Sequence, residues 1–217
     1  MLSTPEDKAA GKIWEGNGQA ATLFDGHIRK PLLYDTTEAS RDGHAYRAEL
    51  HQYVDEPVCS PSPVLHTDLH PPAAWWDSLR TDLAWVNSVP TGRVAVQQEW
   101  VDRSVPRFLN MPGPRITDWM AAHGDLHAAN LTSTTPYLLD WEGFGLAPAG
   151  YDAAMLLAYS LLAPQFAQHV RNAFPVLKSE PGRVAQIIVI TELLQSASRG
   201  DHPELVPALQ DLATELA

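Results

Sequence analysis

Cysteine is almost absent from this chain of 217 residues: Cys59 stands alone, so no internal disulfide can staple the fold, and a reducing, cytoplasmic setting is the expectation. Long apolar runs are also missing. The longest, residues 153–163, is interrupted by Tyr159 and Ser160 and falls well short of the roughly 20 residues that a membrane span needs. The first twenty residues carry no apolar centre of a secretory leader. Positive charge is scarce, with 15 Lys and Arg against 26 Asp and Glu and a formal net charge of −11. Such a surface repels phosphate-rich polymers and anionic lipid, which argues against nucleic acid and membrane as partners and leaves a small molecule, cationic if charged, as the expected ligand. No internal repeat, linker or low-complexity tract breaks the chain.

Against these absences stands one dense segment. Residues 123–130 read His-Gly-Asp-Leu-His-Ala-Ala-Asn, and residues 138–142 read Leu-Leu-Asp-Trp-Glu. Moving a phosphoryl group from a nucleotide to a hydroxyl needs a carboxylate to orient and deprotonate the acceptor, together with an amide oxygen and a second carboxylate to hold Mg²⁺ against the phosphates. Asp125, Asn130 and Asp140 offer those three groups at the spacing such chemistry uses. A decoy lies upstream, where residues 66–70 repeat His-x-Asp-Leu-His; Pro71 and Pro72 follow, and position 73 is Ala, so no metal-holding amide is in place.

Local pattern divides the chain near residues 65–70. Residues 1–68 read as strands plus one helix. Residues 12–15 resemble a strand, Gly16-Asn17-Gly18-Gln19 a turn, and Asp25-Gly26 a hairpin turn between residues 20–24 and 27–33, with a helix expected over 38–53. Residues 69–217 read as helical, with Pro and Gly as punctuation. Helices are expected over 73–89, 94–109, 117–121, 151–162, 184–198 and 204–216, and a short strand over 137–141 presents Asp140 at its end. Trp75, Trp76 and Trp85 suit a packing role better than a ligand platform.

The segments 123–130 and 138–142 resemble the aminoglycoside phosphotransferase and choline kinase-like group of small-molecule kinases. Gly124, where protein kinases usually carry Arg, and Asp-Trp-Glu in place of Asp-Phe-Gly both point to that branch, as does Gly150-Tyr151-Asp152 downstream. The resemblance implies an α+β, bilobal, protein-kinase-like fold with a reduced N-terminal β-rich lobe and a helical C-terminal lobe. It implies ATP or GTP as donor, Mg²⁺ as cofactor, Asp125 as base, and Asn130 and Asp140 as metal ligands, with His123 bracing the loop. It further implies an N-lobe lysine paired with a helix glutamate on the phosphates, for which Lys30 and Glu49 are the candidates, Glu38 being the competing glutamate. Glu142, Glu192 and Asp201 are candidate contacts to the acceptor. Two other readings stay open: a feebly active or inert kinase-like module that binds nucleotide or a partner, and a metal-dependent hydrolase using the His and Asp residues.

Overall fold

The computed structural model describes residues 2–216, and of residues 12 and 13 the backbone only. The chain folds with a small sheet-bearing part at its N-terminal end and a helical part behind it, the α+β, bilobal, kinase-like arrangement expected. The sheet is antiparallel in the order β1 (Leu2–Pro5), β3 (His44–His51), β2 (Leu33–Arg41). Between β1 and β2 runs helix α1 (Lys12–Phe24).

These assignments correct the expected strand at 12–15, the turn at 16–19, the strands at 20–24 and 27–33, and the helix at 38–53. A hairpin on Asp-Gly does exist, but at Asp42-Gly43 between β2 and β3, where both residues take the positive φ (53° and 75°) that a tight hairpin turn requires. Asp25-Gly26 uses the same freedom differently: Gly26, at φ 80°, turns the chain just beyond the last turn of α1. Gly16 lies inside α1, although glycine costs a helix about 1 kcal/mol relative to Ala. Its reason is tertiary. A Cβ on Gly16 would stand 2.7 Å from the Trp141 carbonyl oxygen, so the missing side chain lets the helix touch the 140–144 loop.

In the helical part, α2 (Ala73–Ser88) appears where periodicity placed it, and α3 (Gln98–Leu109) starts four residues later than expected, Val94 bridging Leu146 instead; α3 runs through Pro106 to end on Asn110 in the left-handed region. Residues 117–121 are not helical; β4 (Trp119–Ala122) pairs antiparallel with β5 (Gly145–Pro148). Residues 137–141 form no strand, and Leu138 makes only an isolated bridge with Leu131. Then come α4 (Tyr151–Tyr159), α5 (Pro164–Ala173), α6 (Glu180–Ala197) and α7 (Val206–Leu216). Helix α5 lies outside the expected helices, although Pro164 at its first position and Phe166, Ala167 and Val170 on one face are ordinary helix signals. Helix α6 is buried on nearly every side and forms the axis against which α3, α4 and α7 pack.

Trp75 and Trp76 are buried, in contact with each other, and Trp76 rests on Phe166 of α5. Trp85 differs: it is exposed and stacks on His27 at 4.8 Å, tying α2 to the segment after α1. Arg29 reinforces that junction through an ion pair to buried Asp82 on α2. The decoy aspartate has a structural post, since Asp68 accepts from the Phe166 N–H in the opening turn of α5 (2.9 Å). Among the described residues, no helix is long and apolar enough to cross a membrane.

Candidate active site

Two backbone loops meet at the site. Residues 123–130 follow β4, and residues 139–144 lead into β5, so the β4–β5 pairing brings the two loops side by side. Contact between them is backbone to backbone. Gly124, at φ 85°, faces Gly143 so closely that a Cβ would collide with the Gly143 carbonyl, and a Cβ on Gly143 would lie 2.9 Å from the Gly124 carbonyl carbon. Both positions therefore demand glycine.

His123 locks the loops together. It is wholly buried against Trp141; its Nε2–H donates to the Leu139 carbonyl (2.8 Å), which leaves Nδ1 to accept the Asp125 N–H (3.3 Å). Burial pushes its pKa down to about 4, so the ring stays neutral in the tautomer those bonds require. Asp152, in the first turn of α4, completes the brace by accepting the His123 N–H (2.8 Å) and the Gly124 N–H (3.0 Å). Its carboxyl is buried too, and burial lifts its pKa to about 6 against the lowering effect of those two bonds.

From this frame project the candidate groups. Asp125 is partly exposed, with its Oδ2 3.3 Å from Asn130 Nδ2 and 3.5 Å from His127 Nε2. Asn130 Nδ2 also donates to the Asp125 carbonyl (2.9 Å), which directs the amide nitrogen toward Asp125 and leaves Oδ1 as the atom for a cation. His127 packs edge-on to Tyr159, and its buried Nδ1 has no hydrogen-bond partner among the described residues.

Asp140 has φ 59°, a left-handed conformation that costs a non-glycine residue about 1 kcal/mol or more. Its neighbours hold it there from both sides. Leu139 N–H donates to the Asn130 carbonyl (2.9 Å), and Trp141 N–H donates to Asn17 Oδ1 on α1 (3.1 Å). Arg93 clasps the far end, donating from Nε to the Phe144 carbonyl (2.7 Å) and from Nη2 to the Glu142 carbonyl (3.2 Å). Sequence reasoning missed Asn17 and Arg93 as parts of the site. Each acts on a segment remote from it in the chain and lies in a stretch that reads as a turn or loop.

Carboxylates crowd the loop. The enclosure of the protein, then the charges of Asp125 and Glu49, raise the Asp140 pKa, while a backbone hydrogen bond at Glu142 works against them. Glu142 is raised by burial first and then by Asp140, Glu49 and Asp125. Glu49 goes the other way. Burial favours its neutral form, but hydrogen bonds from Arg47, His51 and Asn17 outweigh it and lower the pKa.

The expected Lys30–Glu49 pair is not made. Glu49 lies on β3, not on a helix, and is engaged by Arg47, Asn17 and His51. Lys30 lies in the segment between α1 and β2, buried, with its ammonium on Asp25 and the Pro31 carbonyl. Glu38, the competing glutamate, is on β2 and pairs with Arg47 at the protein surface. On the other flank, Glu192 of α6 accepts the buried Tyr151 hydroxyl. Asp201 is exposed beyond α6. Burial first, and then the charges of Asp125, Glu192 and Asp201, push the Tyr159 pKa upward.

Residues 35–184, well over half of the chain, match the model of the phosphotransferase enzyme family. The chain belongs to that family. No curated protein matches it in sequence. Among solved structures, the phosphotransferase is similar to the aminoglycoside phosphotransferase APH(4)-Ia, with a TM-score of 0.62 and 13% identity over 96% of this chain and 83% of that one. The amicoumacin kinase hAmiN, in complex with AMP-PNP, Ca²⁺ and Ami, superposes with a TM-score of 0.57 at 12% identity, covering 99% of this chain and 80% of that one. APH(3'')-Id from Streptomyces rimosus, in complex with ADP and streptomycin, gives 0.56 at 12% identity, covering 88% and 85%. At such identities the likeness is one of fold, and with the family match it makes this chain a small-molecule kinase.

The donor set of the phosphotransferase suits a hard divalent cation. Among the described residues no group of three or more His, Cys, Asp or Glu is arranged to hold a metal. Mg²⁺ asks for less: one or two protein oxygens, with phosphates and waters completing the octahedron. The Asp140 carboxylate, enclosed by the protein and then crowded by Asp125 and Glu49, is in the electrostatic condition that such an ion relieves.

Proposed function

We propose that this phosphotransferase moves the terminal phosphoryl group of ATP or GTP onto a hydroxyl of a small polar molecule, an aminoglycoside-like antibiotic or another hydroxylated metabolite. Asp125 is the base: the acceptor O–H gives its proton to the Oδ2 carboxylate as the new O–P bond forms and the bond to the leaving diphosphate breaks. Asn130 Oδ1 and the Asp140 carboxylate are the protein ligands of Mg²⁺, whose bound form supplies charge neutralisation for the phosphates. The carrying observation is the bond from Asn130 Nδ2 to Asp125, which couples the proposed base to a proposed metal ligand and orients both side chains. On the acceptor side, Glu192 adds negative charge at Tyr151 and, with Asp201, at Tyr159, and Glu142 adds it beside Asp140, which favours an acceptor bearing amines.

A screen of hydroxylated and amine-bearing compounds for nucleotide-dependent gain of a phosphoryl mass tests this reading, run beside Asp125→Asn. Turnover in that variant is expected to fall on the order of 10²–10⁴-fold, as loss of a general base does. Undiminished product would remove Asp125 from the role. One observation favours a second reading, a nucleotide- or partner-binding module of little activity: Lys30 is neutralised by Asp25 and offers no free ammonium to phosphates. Thermal stabilisation by Mg²⁺ and nucleotide without turnover on any acceptor would favour that module.

A further inference from the structure

Among the described residues Glu49 has no lysine partner, yet it is heavily engaged, and its contacts lead to the loop that carries Asp140. Its Oε1 accepts from Arg47 Nε (2.8 Å), and its Oε2 accepts from Asn17 Nδ2 (2.9 Å) and meets His51 Nε2 (3.1 Å). Asn17 passes the constraint on, because its Oδ1 accepts the Trp141 N–H (3.1 Å). That N–H belongs to the peptide immediately after Asp140, the residue held at φ 59°. An amide wedged between an acceptor on one side and a donor on the other has only one workable orientation. Glu49 fixes the orientation of Asn17, and Asn17 fixes the peptide plane that follows Asp140. Gly16 makes the approach possible, since any side chain there would strike the Trp141 carbonyl and hold the helix off the loop.

We infer that Asn17 and Glu49 are positioning residues: a strut from α1 and β3 that sets the angle of the Asp140 carboxylate toward the divalent cation. The inference rests on the reading of Asp140 as a metal ligand. It gives Glu49 a role in the site different from a phosphate lysine's partner, and it explains why a strained aspartate is tied to a separate helix. The strut acts on polarity, not bulk, which makes it testable with substitutions that hardly change shape. Asn17→Asp sets two carboxylates face to face. Glu49→Gln sets two amide N–H₂ groups face to face, or turns the Asn17 nitrogen onto the Trp141 N–H. The double variant Asn17→Asp with Glu49→Gln restores both bonds, with the polarity of the contact between positions 17 and 49 reversed. The amide that Glu49→Gln introduces still offers its oxygen to Arg47, and its N–H₂ faces His51 Nε2.

The probe is Mn²⁺ titrated into protein saturated with AMP-PNP, with free Mn²⁺ read by electron paramagnetic resonance, and with each variant's unfolding midpoint measured without ligand. Loss of an outer partner of a metal ligand weakens metal binding roughly 10–100-fold. Each single variant is expected to weaken Mn²⁺ by about tenfold at least, with the ligand-free midpoint lowered in Asn17→Asp, which opposes two carboxylates, and the double variant, of unchanged net charge, is expected to recover most of the affinity and of the midpoint. Single variants that bind Mn²⁺ like the parent, or a double variant no better than the weaker single, would overturn the strut. Asp140→Asn separates the two levels. If it loses Mn²⁺ while Asn17→Asp does not, the inference alone fails; if parent and Asp140→Asn bind alike, the metal reading fails and takes the strut with it.

Discussion

The Asp152 carboxylate is buried against the backbone of His123 and Gly124, and the titrations of His123 and Asp152 oppose each other. The His123 pKa drops from an ordinary 6.5 to about 4, so the folded state resists protonating it; the stability this ring confers is complete above pH 6.5 and is lost as pH falls toward 4. Asp152 rises from 3.8 to about 6, so the folded state prefers it protonated; its contribution is complete below 3.8 and is lost as pH climbs through 6. At about 1.4 kcal/mol per unit, each amounts to about 3 kcal/mol. Between pH 6.5 and 4 the loss at His123 is therefore offset by the gain at Asp152. Asp152→Asn removes the gain and keeps the loss. The variant should be less stable at every pH, since a single amide oxygen cannot take both the His123 and Gly124 N–H groups. Its unfolding free energy should also fall by about 3 kcal/mol more than the parent's on going from pH 6.5 to 4. Urea melts at several pH values give the difference, and parallel curves would show that Asp152 is ionised in the folded state throughout.

At the level of elements, α1 carries the clearest conflict between local preference and tertiary need. Gly16 and Gly18 weaken the helix, and both face groups that leave no room for a Cβ: the 141–142 backbone for Gly16 and the Arg47 guanidinium for Gly18. On propensity alone, Gly16→Ala would stabilise α1 by about 1 kcal/mol. The contact reverses the sign, because neither the helix backbone nor the loop carbonyl can yield as a flexible side chain would. Gly16→Ala is expected to lower the unfolding midpoint and weaken Mn²⁺·AMP-PNP binding together, whereas Gly18→Ala, opposed only by the far end of an arginine, should do neither to the same degree. A stabilised, fully competent Gly16→Ala protein would mean that α1 does not bear on the loop. The same conflict explains what the sequence conceals. Residues 123–130 and Asp140 are legible because the chemistry dictates residue type at short spacing, and α2, α3, α4, α6 and α7 because apolar stripes and proline mark them, whereas α5 lies outside the expected helices and 117–121 is not helical. The N-terminal part misleads because glycines that serve contacts to distant segments, Gly16 to the 141–142 backbone above all, look like turns. Asp-Gly likewise serves a hairpin and a helix end equally well. Lys30 and Glu49 pair only by analogy with a strand–helix arrangement, whereas Glu49 is on a strand and Lys30 is on neither a helix nor a strand.

Over the whole molecule, a net charge of −11 and a knot of carboxylates at the 140–144 loop mean that the apo protein holds its site together against its own field. Added salt and a bound cation relieve this differently. Sodium chloride screens the surface generally, with a Debye length of about 10 Å at 0.1 M. Mg²⁺ with nucleotide acts at one place, and a ligand that binds only the folded state adds about 2.7 kcal/mol at a hundredfold excess over its dissociation constant. For a chain of this size that corresponds to a rise of about 5–10 °C in the unfolding midpoint, at roughly 2–4 °C per kcal/mol. Matched for ionic strength, Mg²⁺ plus AMP-PNP should thus raise the midpoint well beyond sodium chloride. Asp140→Asn sharpens the comparison, because removing one charge from the knot should make the ligand-free protein more stable than the parent while abolishing most of its response to Mg²⁺ and AMP-PNP, the trade of stability for function that a site of like charges implies. Scanning calorimetry of parent and variant in the two salts reads both effects. An Asp140→Asn protein that is less stable without ligand, or that keeps the full ligand response, would show that the carboxylate is held by favourable contacts of its own and that the cation is bound elsewhere.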